Sequence, residues 1–392
     1  MAPAQHTIRS VTPILADKFL FVKIETDTGI AGYGEAGIWS QTHVALSVVE
    51  RFTDYLIGKN AFDIEHHWNA LHRFSYFQGL AINSGISAID IALWDIKGKA
   101  LGVPIFELLG GACRTKARVY PHVRGKTLDA LLQDAQWKVK QGFNAIGHLN
   151  PFLDEDKDTA YFKTHVRKME DAIENVRKVR EAVGPDVDIA LELHRRLSPT
   201  EAITFCNGVE SYRPLFIEDP IRPENPGAMA RVAKKITLPI ATGERLCTLY
   251  EFHALFKQEG LEYARVDPAL CGGITGMKKV AAIAEAYHVQ LVPHNPLSPI
   301  GLAACLQVVA AIPNFLIQEY TTALDAESHS EISEHVGANL VDYVPVPEGG
   351  FVKIPDRPGL GINLLDDAPT ISPPVVLPIK VRKHYDGFIV DQ

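Results

Sequence analysis

The sequence predicts an α/β protein in which a parallel barrel follows a small α+β unit, and two observations carry this expectation. From about Ala117 onward eight apolar, strand-like runs ("ARVYPHV", "NAIGHL", "VDIALELH", "PLFIED", "LPIATGE", "LEYARVD", "VQLVPH" and "FLIQE") alternate with helix-like runs such as "TEAITFCNGVESY" and "MKKVAAIAEAYH". That alternation suits a parallel barrel better than a sandwich. The last six of these runs end at or beside an acidic residue or histidine: Glu192, Glu218, Glu244, Asp267, His294 and Glu319, at intervals of 23 to 27 residues. One polar group per strand-helix unit therefore falls at the same end of consecutive strands, the carboxyl end, where barrels of this kind place their active sites. The 392 residues accommodate such a barrel of about 250 residues and one smaller unit.

In chain order, "FLFVKIETDTG" alternates and ends in a turn, "GIAGYGEA" returns, and "THVALSVVERFTDYLIGK" has helical spacing. "SAIDIALWDIKGKALGVPIFELLGG" reads as a long, largely buried helix halted at "GVP" and followed by a short one. It is expected to pack between two domains. Residues 1–116 form the first unit, 117–335 the barrel, and 336–392 a loop-rich segment ("DYVPVPEGGFVKIPDRPGLGINLL") that returns to the first unit.

Hydrophobic residues at 46% and charged residues at 22% are ordinary for a globular chain. The net charge of -8, with Lys and Arg dispersed, leaves no footprint for nucleic acid or an anionic membrane. Five cysteines, an odd number without CxxC spacing, argue against a disulfide or zinc framework. No leader pattern and no apolar run of roughly 20 residues is found, so a cytoplasmic location is expected.

The stretch "ALELHRRLSP" poses the chemical question. In a strand, Ala190, Glu192 and His194 share one face while Leu191 and Leu193 share the other. A buried carboxylate is costly unless paired or bound to a metal. A single Glu at a strand end is usually a cap or an ion-pair partner; several in register weaken that explanation. Glu192, Glu218 and Glu244 on adjacent strands would repel unless a cation sat among them, and all-oxygen ligands favour Mg²⁺ before Mn²⁺. Asp267 and His294 fall on neighbouring strands, where a carboxylate on one imidazole nitrogen fixes the tautomer and leaves the other nitrogen to accept a proton. His194 supplies a second imidazole beside the first carboxylate.

The ordered endings "ELH", "IEDP", "TGERL", "RVDPALCGGIT", "VPHNPLSPIGLAA" and "QEY", preceded by "AIDIALWDIKGKALGVPIFELLGG", resemble the enolase superfamily, mandelate racemase subgroup. Within it the acid-sugar dehydratases are nearest, those acting on galactonate in particular. The resemblance runs from "FLFVKIETDTGIAGYGE" to "PDRPGLGI". It implies a modified TIM barrel, (β/α)7β, with an α+β capping domain whose loop near Gly37 to Gln41 covers the barrel mouth. It further implies that Glu192, Glu218 and Glu244 bind Mg²⁺, that Asp267 and His294 form the base dyad, that His194 is the acid, and that Glu319 contacts a sugar-acid substrate. A homo-oligomer, dimer or octamer, is expected from the same likeness.

Two departures stand out. The first metal ligand is usually Asp, whereas Glu192 is one methylene longer. Many members end the second barrel strand with a Lys-x-Lys pair, and here "GFNAIGHLNPF" places Gly147 and Leu149 at those positions. A base is thus missing on that face. Racemisation needs an acid or base on each face, but dehydration needs one base for the α proton and one acid for the β hydroxyl, so His294 and His194 suffice for a sugar-acid dehydratase. His148 and Asn150, with His122 and Arg124 of "YPHVRG", are further candidates for substrate contact. The competing expectations are a cycloisomerase or epimerase of a sugar acid or lactone, and a non-catalytic descendant of the scaffold.

Overall fold

The computed structural model describes residues 6–74, 76–153, 160, 162–322, 335–379 and 381–391. The alternating segment near the start forms an antiparallel sheet of β1 (Ile8–Ala16), β2 (Phe19–Thr26) and β3 (Ala31–Ala36) in that order. Helices α1 (Thr42–Leu56) and α2 (Ile64–Phe74) follow. Ala45, Val49, Phe52 and Leu56 lie on one face of α1 and bury into the same core as the sheet residues Leu20, Val22 and Ile24.

Helix α3 (Leu80–Leu101) is buried along most of its length and stops at Gly102, which takes the left-handed φ of 71° that glycine adopts at helix ends. The short α4 (Ile105–Leu108) comes next. On one side α3 lies directly on β3: a Cβ at Gly34 would come within 1.9 Å of the Ala88 carbonyl oxygen. Gly34→Ala is therefore expected to force helix and strand apart, costing about 1–3 kcal/mol as overpacking does. A thermal melt with an unchanged midpoint would refute that close contact. On its other side, Trp94 Nε1 donates to Thr275 Oγ1 at 2.9 Å and Asp90 Oδ1 accepts from the Thr275 amide at 3.0 Å. The long helix thus packs between the small sheet and the barrel, as its all-round apolar character predicts.

The barrel runs β4 (Lys116–Pro121), α5 (Leu128–Lys140), β5 (Ala145–Leu149), α6 (His165–Val183), β6 (Asp188–Glu192), α7 (Pro199–Val209), β7 (Phe216–Glu218), α8 (Pro226–Ala233), β8 (Ile240–Thr242), α9 (Leu249–Lys257), β9 (Tyr263–Ala264), α10 (Gly273–Ala286), β10 (Gln290–Leu291), α11 (Pro299–Ala310) and β11 (Gln318–Tyr320). β5 to β10 form a continuous parallel sheet, β11 pairs parallel with β4, and bridges His122–Gly147 and Leu291–Phe315 close the ring. Eight strands with seven intervening helices make the expected (β/α)7β barrel. Its interior is plugged by Tyr120, Ala145, Ala190, Phe216, Val292 and Ile317. Leu191, Leu193, Ile217 and Ile240 face the other way, into the layer between strands and helices.

Beyond the barrel, β12 (Phe351–Lys353) pairs antiparallel with the start of β4. The chain then reaches the first sheet through α12 (Ala368–Ile371), where the Asp17 amide donates to the Ser372 carbonyl and the Val375 amide to the Asp17 carbonyl, both at 2.8 Å. A second tie joins the two units. Glu35, on β3, accepts from the Ser298 amide (3.1 Å), the Ser298 hydroxyl (2.6 Å) and the Gly301 amide (2.9 Å), and so caps the start of α11. Burial pushes the Glu35 carboxyl up to about 7, against these donors.

Candidate active site

Three carboxylates converge at the carboxyl end of the barrel. Glu192 ends β6 and pairs in register with Glu218 at the end of β7. Glu244 follows β8 after Gly243, whose φ of 130° turns the chain inward. One oxygen from each lies within 4.8 Å of the others. Burial, then the charges of Glu218 and Glu244, pushes Glu192 well above the usual carboxylate range. Burial pushes Glu218 up to about 8 although Arg265 pulls it down. Glu192 Oε1 accepts from the His194 amide at 2.6 Å, while Oε2 is buried with no hydrogen-bond partner among the described residues. A hard divalent cation fits this donor set: it would take up the orphaned oxygen and relieve the repulsion.

These shifts set a pH dependence. A carboxyl whose pKa is higher folded than unfolded holds extra protons in the folded state, so stability falls as pH rises between the two values. For Glu218 that window runs from 4.5 to about 8. Thermal midpoints of the metal-free protein are expected to fall across it, and saturating Mg²⁺ to flatten the slope. A slope indifferent to the ion would contradict the assignment of these carboxylates as ligands.

Opposite Glu244 stands the His–Asp pair. Asp267 Oδ1 accepts from the Ala269 amide at 2.8 Å, and His294 Nδ1 donates to Asp267 Oδ2 at 2.9 Å. His294 Nε2 is left facing the site, 3.6 Å from Glu244 Oε2. Burial opposes charge on this imidazole, but Glu244 and the bond to Asp267 prevail and push its pKa up to about 9.

His194 reaches the site differently from the expected alternation. The strand ends at Glu192, and His194 and Arg195 adopt left-handed φ values of 47° and 62°. That turn brings His194 Nε2 to 3.9 Å from Glu192 Oε1. It also directs Arg195 inward, where Nη1 donates to Glu244 Oε1 at 2.8 Å and Asp219 Oδ2 at 3.3 Å. Arg195 is thus an ion-pair partner rather than a solvated loop residue.

The place of the missing Lys-x-Lys pair has a physical explanation. The β5–β6 register slips between Ile146 and Leu149, and His148 takes a left-handed φ of 50°. A Cβ at Gly147 would lie 2.3 Å from the Tyr120 ring, so Tyr120 fills the space a side chain there would need. The bulge instead presents His148, which stacks on His122 (centroids 4.2 Å, 12°) and meets His194 edge-on (4.8 Å, 67°). Burial, followed by the charges of His122 and His194, holds His148 well below its usual pKa. Asn150 Oδ1 accepts from the Phe152 amide at 3.0 Å, leaving Nδ2 buried without a partner among the described residues.

Glu319, at the middle of β11, is gripped from three sides. Oε1 accepts from His122 Nε2 at 2.6 Å; Oε2 accepts from Arg265 Nη2 at 2.8 Å and the Asn295 amide at 2.7 Å. Burial would raise its pKa, but Arg265 and His122 hold it well below the usual range. Arg265, 1% exposed, also donates through Nε to Glu218 and through Nη1 to the carbonyls of Val292 and Pro293. Sequence reasoning missed it, yet a signal existed. In "YARVD" it stands two residues before Asp267, and that spacing shares a strand face. Arg124 follows β4 at the barrel mouth, half-buried, its amide donating to Asp134 Oδ2 at 2.8 Å.

A capped (β/α)7β barrel with three clustered carboxylates facing a His–Asp pair has the make-up of an enzyme. Comparison with known proteins agrees. Residues 1–110 match the mandelate racemase / muconate lactonizing enzyme N-terminal domain, and residues 136–368 match the enolase C-terminal domain-like family. The D-galactonate dehydratase of Ralstonia nicotianae is 36% identical over 98% of this chain and 99% of its own. That of Variovorax paradoxus is 36% identical over 92% and 91%. Among solved structures, a member of the enolase superfamily from Salmonella Typhimurium superposes with a TM-score of 0.85 at 30% identity, covering 94% of this chain and 98% of that one. An enolase from Agrobacterium radiobacter, with sodium and L-malate bound, gives 0.89 at 27% identity, covering 98% and 100%. The chain belongs to the mandelate racemase / muconate lactonizing enzyme family of the enolase superfamily.

Proposed function

We propose that the protein is a Mg²⁺-dependent dehydratase of a sugar acid, an aldonate such as galactonate being the first to test. The observation that carries this reading is the placement of the base: His294 Nε2 faces the carboxylate cluster, held by Asp267 at 2.9 Å, while the second strand has Gly147 and Leu149 where many members carry a lysine pair. The relatives' activity, D-galactonate dehydration, supports it along the whole chain. So does L-malate in the Agrobacterium structure, a hydroxy acid bound within the same fold.

Glu192, Glu218 and Glu244 would hold the ion. When bound it would stabilise negative charge on the substrate carboxylate, making the neighbouring C–H bond more acidic. His294 takes the C2 proton on Nε2, and Asp267 steadies the resulting imidazolium. His194 gives a proton to the C3 hydroxyl, which leaves as water while the C2–C3 double bond forms. The enol then ketonises to a 2-keto-3-deoxy sugar acid. His148, His122 and Asn150 offer hydrogen bonds to the hydroxyls further along the chain, and Glu319 fixes His122 at that wall. The test is a screen of acid sugars with Mg²⁺, detecting 2-keto-3-deoxy products. Product from one or a few C2/C3 stereochemical types is expected; exchange or epimer formation without water loss would replace dehydration by epimerisation.

A further inference from the structure

A second grouping of metal-binding side chains stands beside the carboxylate cluster. Ligand atoms of His148, Glu192 and His194, two imidazoles and one carboxylate, all lie within 4.8 Å of one another. The backbone delivers both rings by the same means. His148 and His194, at the ends of the neighbouring strands β5 and β6, take left-handed φ values of 50° and 47°, and their rings meet edge-on with centroids 4.8 Å apart. His194 Nε2 stands 3.9 Å from Glu192 Oε1, and Glu192 Oε2 is buried with no hydrogen-bond partner among the described residues. Glu192 also belongs to the three-carboxylate cluster, and its two oxygens allow one side chain to serve two ions.

A further grouping, His122, His148 and Glu319, is closed by hydrogen bonds instead. Glu319 accepts from His122 Nε2, Arg265 and the Asn295 amide, so both of its oxygens are engaged. His148 is held by stacking on His122 at 4.2 Å and by its edge contact with His194. Two imidazoles and a carboxylate suit a borderline ion such as Zn²⁺, which takes nitrogen and oxygen ligands tetrahedrally and leaves a fourth position open. Bonds of about 2.0–2.1 Å place such ligand atoms roughly 3.3 Å apart, a closure that the half-buried His148 and His194 can make by side-chain rotation. Mg²⁺, which demands octahedral oxygen, keeps to the carboxylates. Charge does not oppose a second ion. Glu192, Glu218, Glu244, Asp219 and Glu319 face two guanidiniums, Arg195 and Arg265, so one divalent cation leaves this group of side chains negative.

We propose that His148, Glu192 and His194 form a second metal site, selective for Zn²⁺ or a like nitrogen-seeking ion and bridged to the Mg²⁺ site through Glu192. Binding there is independent of the dehydratase reading. Its effect on turnover rests on that reading: an ion on His194 takes the nitrogen that would carry the proton to the leaving hydroxyl, so Zn²⁺ inhibits.

The experiment titrates Zn²⁺ calorimetrically into the whole chain held in saturating Mg²⁺, with Co²⁺ in its place for absorption spectroscopy. One equivalent of Zn²⁺ is expected to bind, and Co²⁺ to show the intense visible bands of a four-coordinate site. His148→Ala and His194→Asn should each weaken Zn²⁺ by more than the factor of about 10–100 that loss of an outer-shell partner costs. Circular dichroism reports whether each variant is folded, and the wild-type titration depends on neither. Zn²⁺ that binds only when Mg²⁺ is withheld would occupy the carboxylate cluster alone and overturn the proposal. Binding unmoved by both variants would belong to other histidines, and binding lost in His122→Asn but kept in His194→Asn would belong to the other grouping; each would overturn it as well. Zn²⁺ bound as expected, yet without effect on acid-sugar turnover, would retain the site and remove His194 as the acid.

Discussion

Replacing His294 with asparagine is expected to lower kcat by about 10²–10⁴-fold, the usual contribution of a positioned general base, with little change in the melting temperature. Asparagine can keep a hydrogen bond to Asp267 but cannot take up a proton at neutral pH. His194→Asn should remove dehydration through the other half of the reaction. With a good leaving group at C3 in place of hydroxyl, elimination by His194→Asn should recover while that by His294→Asn should not. Steady-state kinetics on the two substrates separate the roles, and equal recovery in both variants would reverse or dissolve the assignment.

The second large effect is expected at Arg265, in stability. Its guanidinium joins Glu218 to Glu319 in a site where all three side chains are at most 2% exposed. Arg265→Met leaves both carboxylates buried without their main counter-charge. Removing one partner from a buried ionic network costs about 3–5 kcal/mol, and a urea titration should show a matching loss. Because Glu218 is also a candidate ligand, its proton affinity should rise and Mg²⁺ should bind more weakly at neutral pH. An unchanged urea midpoint would mean that Glu218 and Glu319 find other partners.

Much of this site could be read from the chain because one rule governs its placement. Six polar residues at nearly constant spacing fall on successive strand ends, and the barrel's closure brings those ends together whatever the loops do. What escaped was how some of the named residues reach the site, which depends on departures from regular backbone. His194 was singled out on the assumption that the strand continued, whereas left-handed turns after Glu192 place it. The bulge at His148 shifts the register by an amount that a sequence without paired strands does not reveal. Arg265 was hidden by a different habit of reasoning. A charged residue inside an apolar run is usually assigned to the surface, and only the parity shared with Asp267 points inward. Tyr120 was unreadable as the reason for Gly147, since the two meet across a strand boundary.

The grip of Glu35 on the start of α11 has a consequence for how such enzymes can be rebuilt. Ser298 and Gly301 lie only a few residues beyond His294, so the small N-terminal unit supports the segment that carries this imidazole. The cap is therefore no interchangeable module. A chimera that imports a foreign cap to alter substrate range would inherit new walls yet lose this brace unless an acidic residue were kept at position 35. Recombination between relatives should consequently succeed at the tips of the cap loops and fail at the seam beneath them.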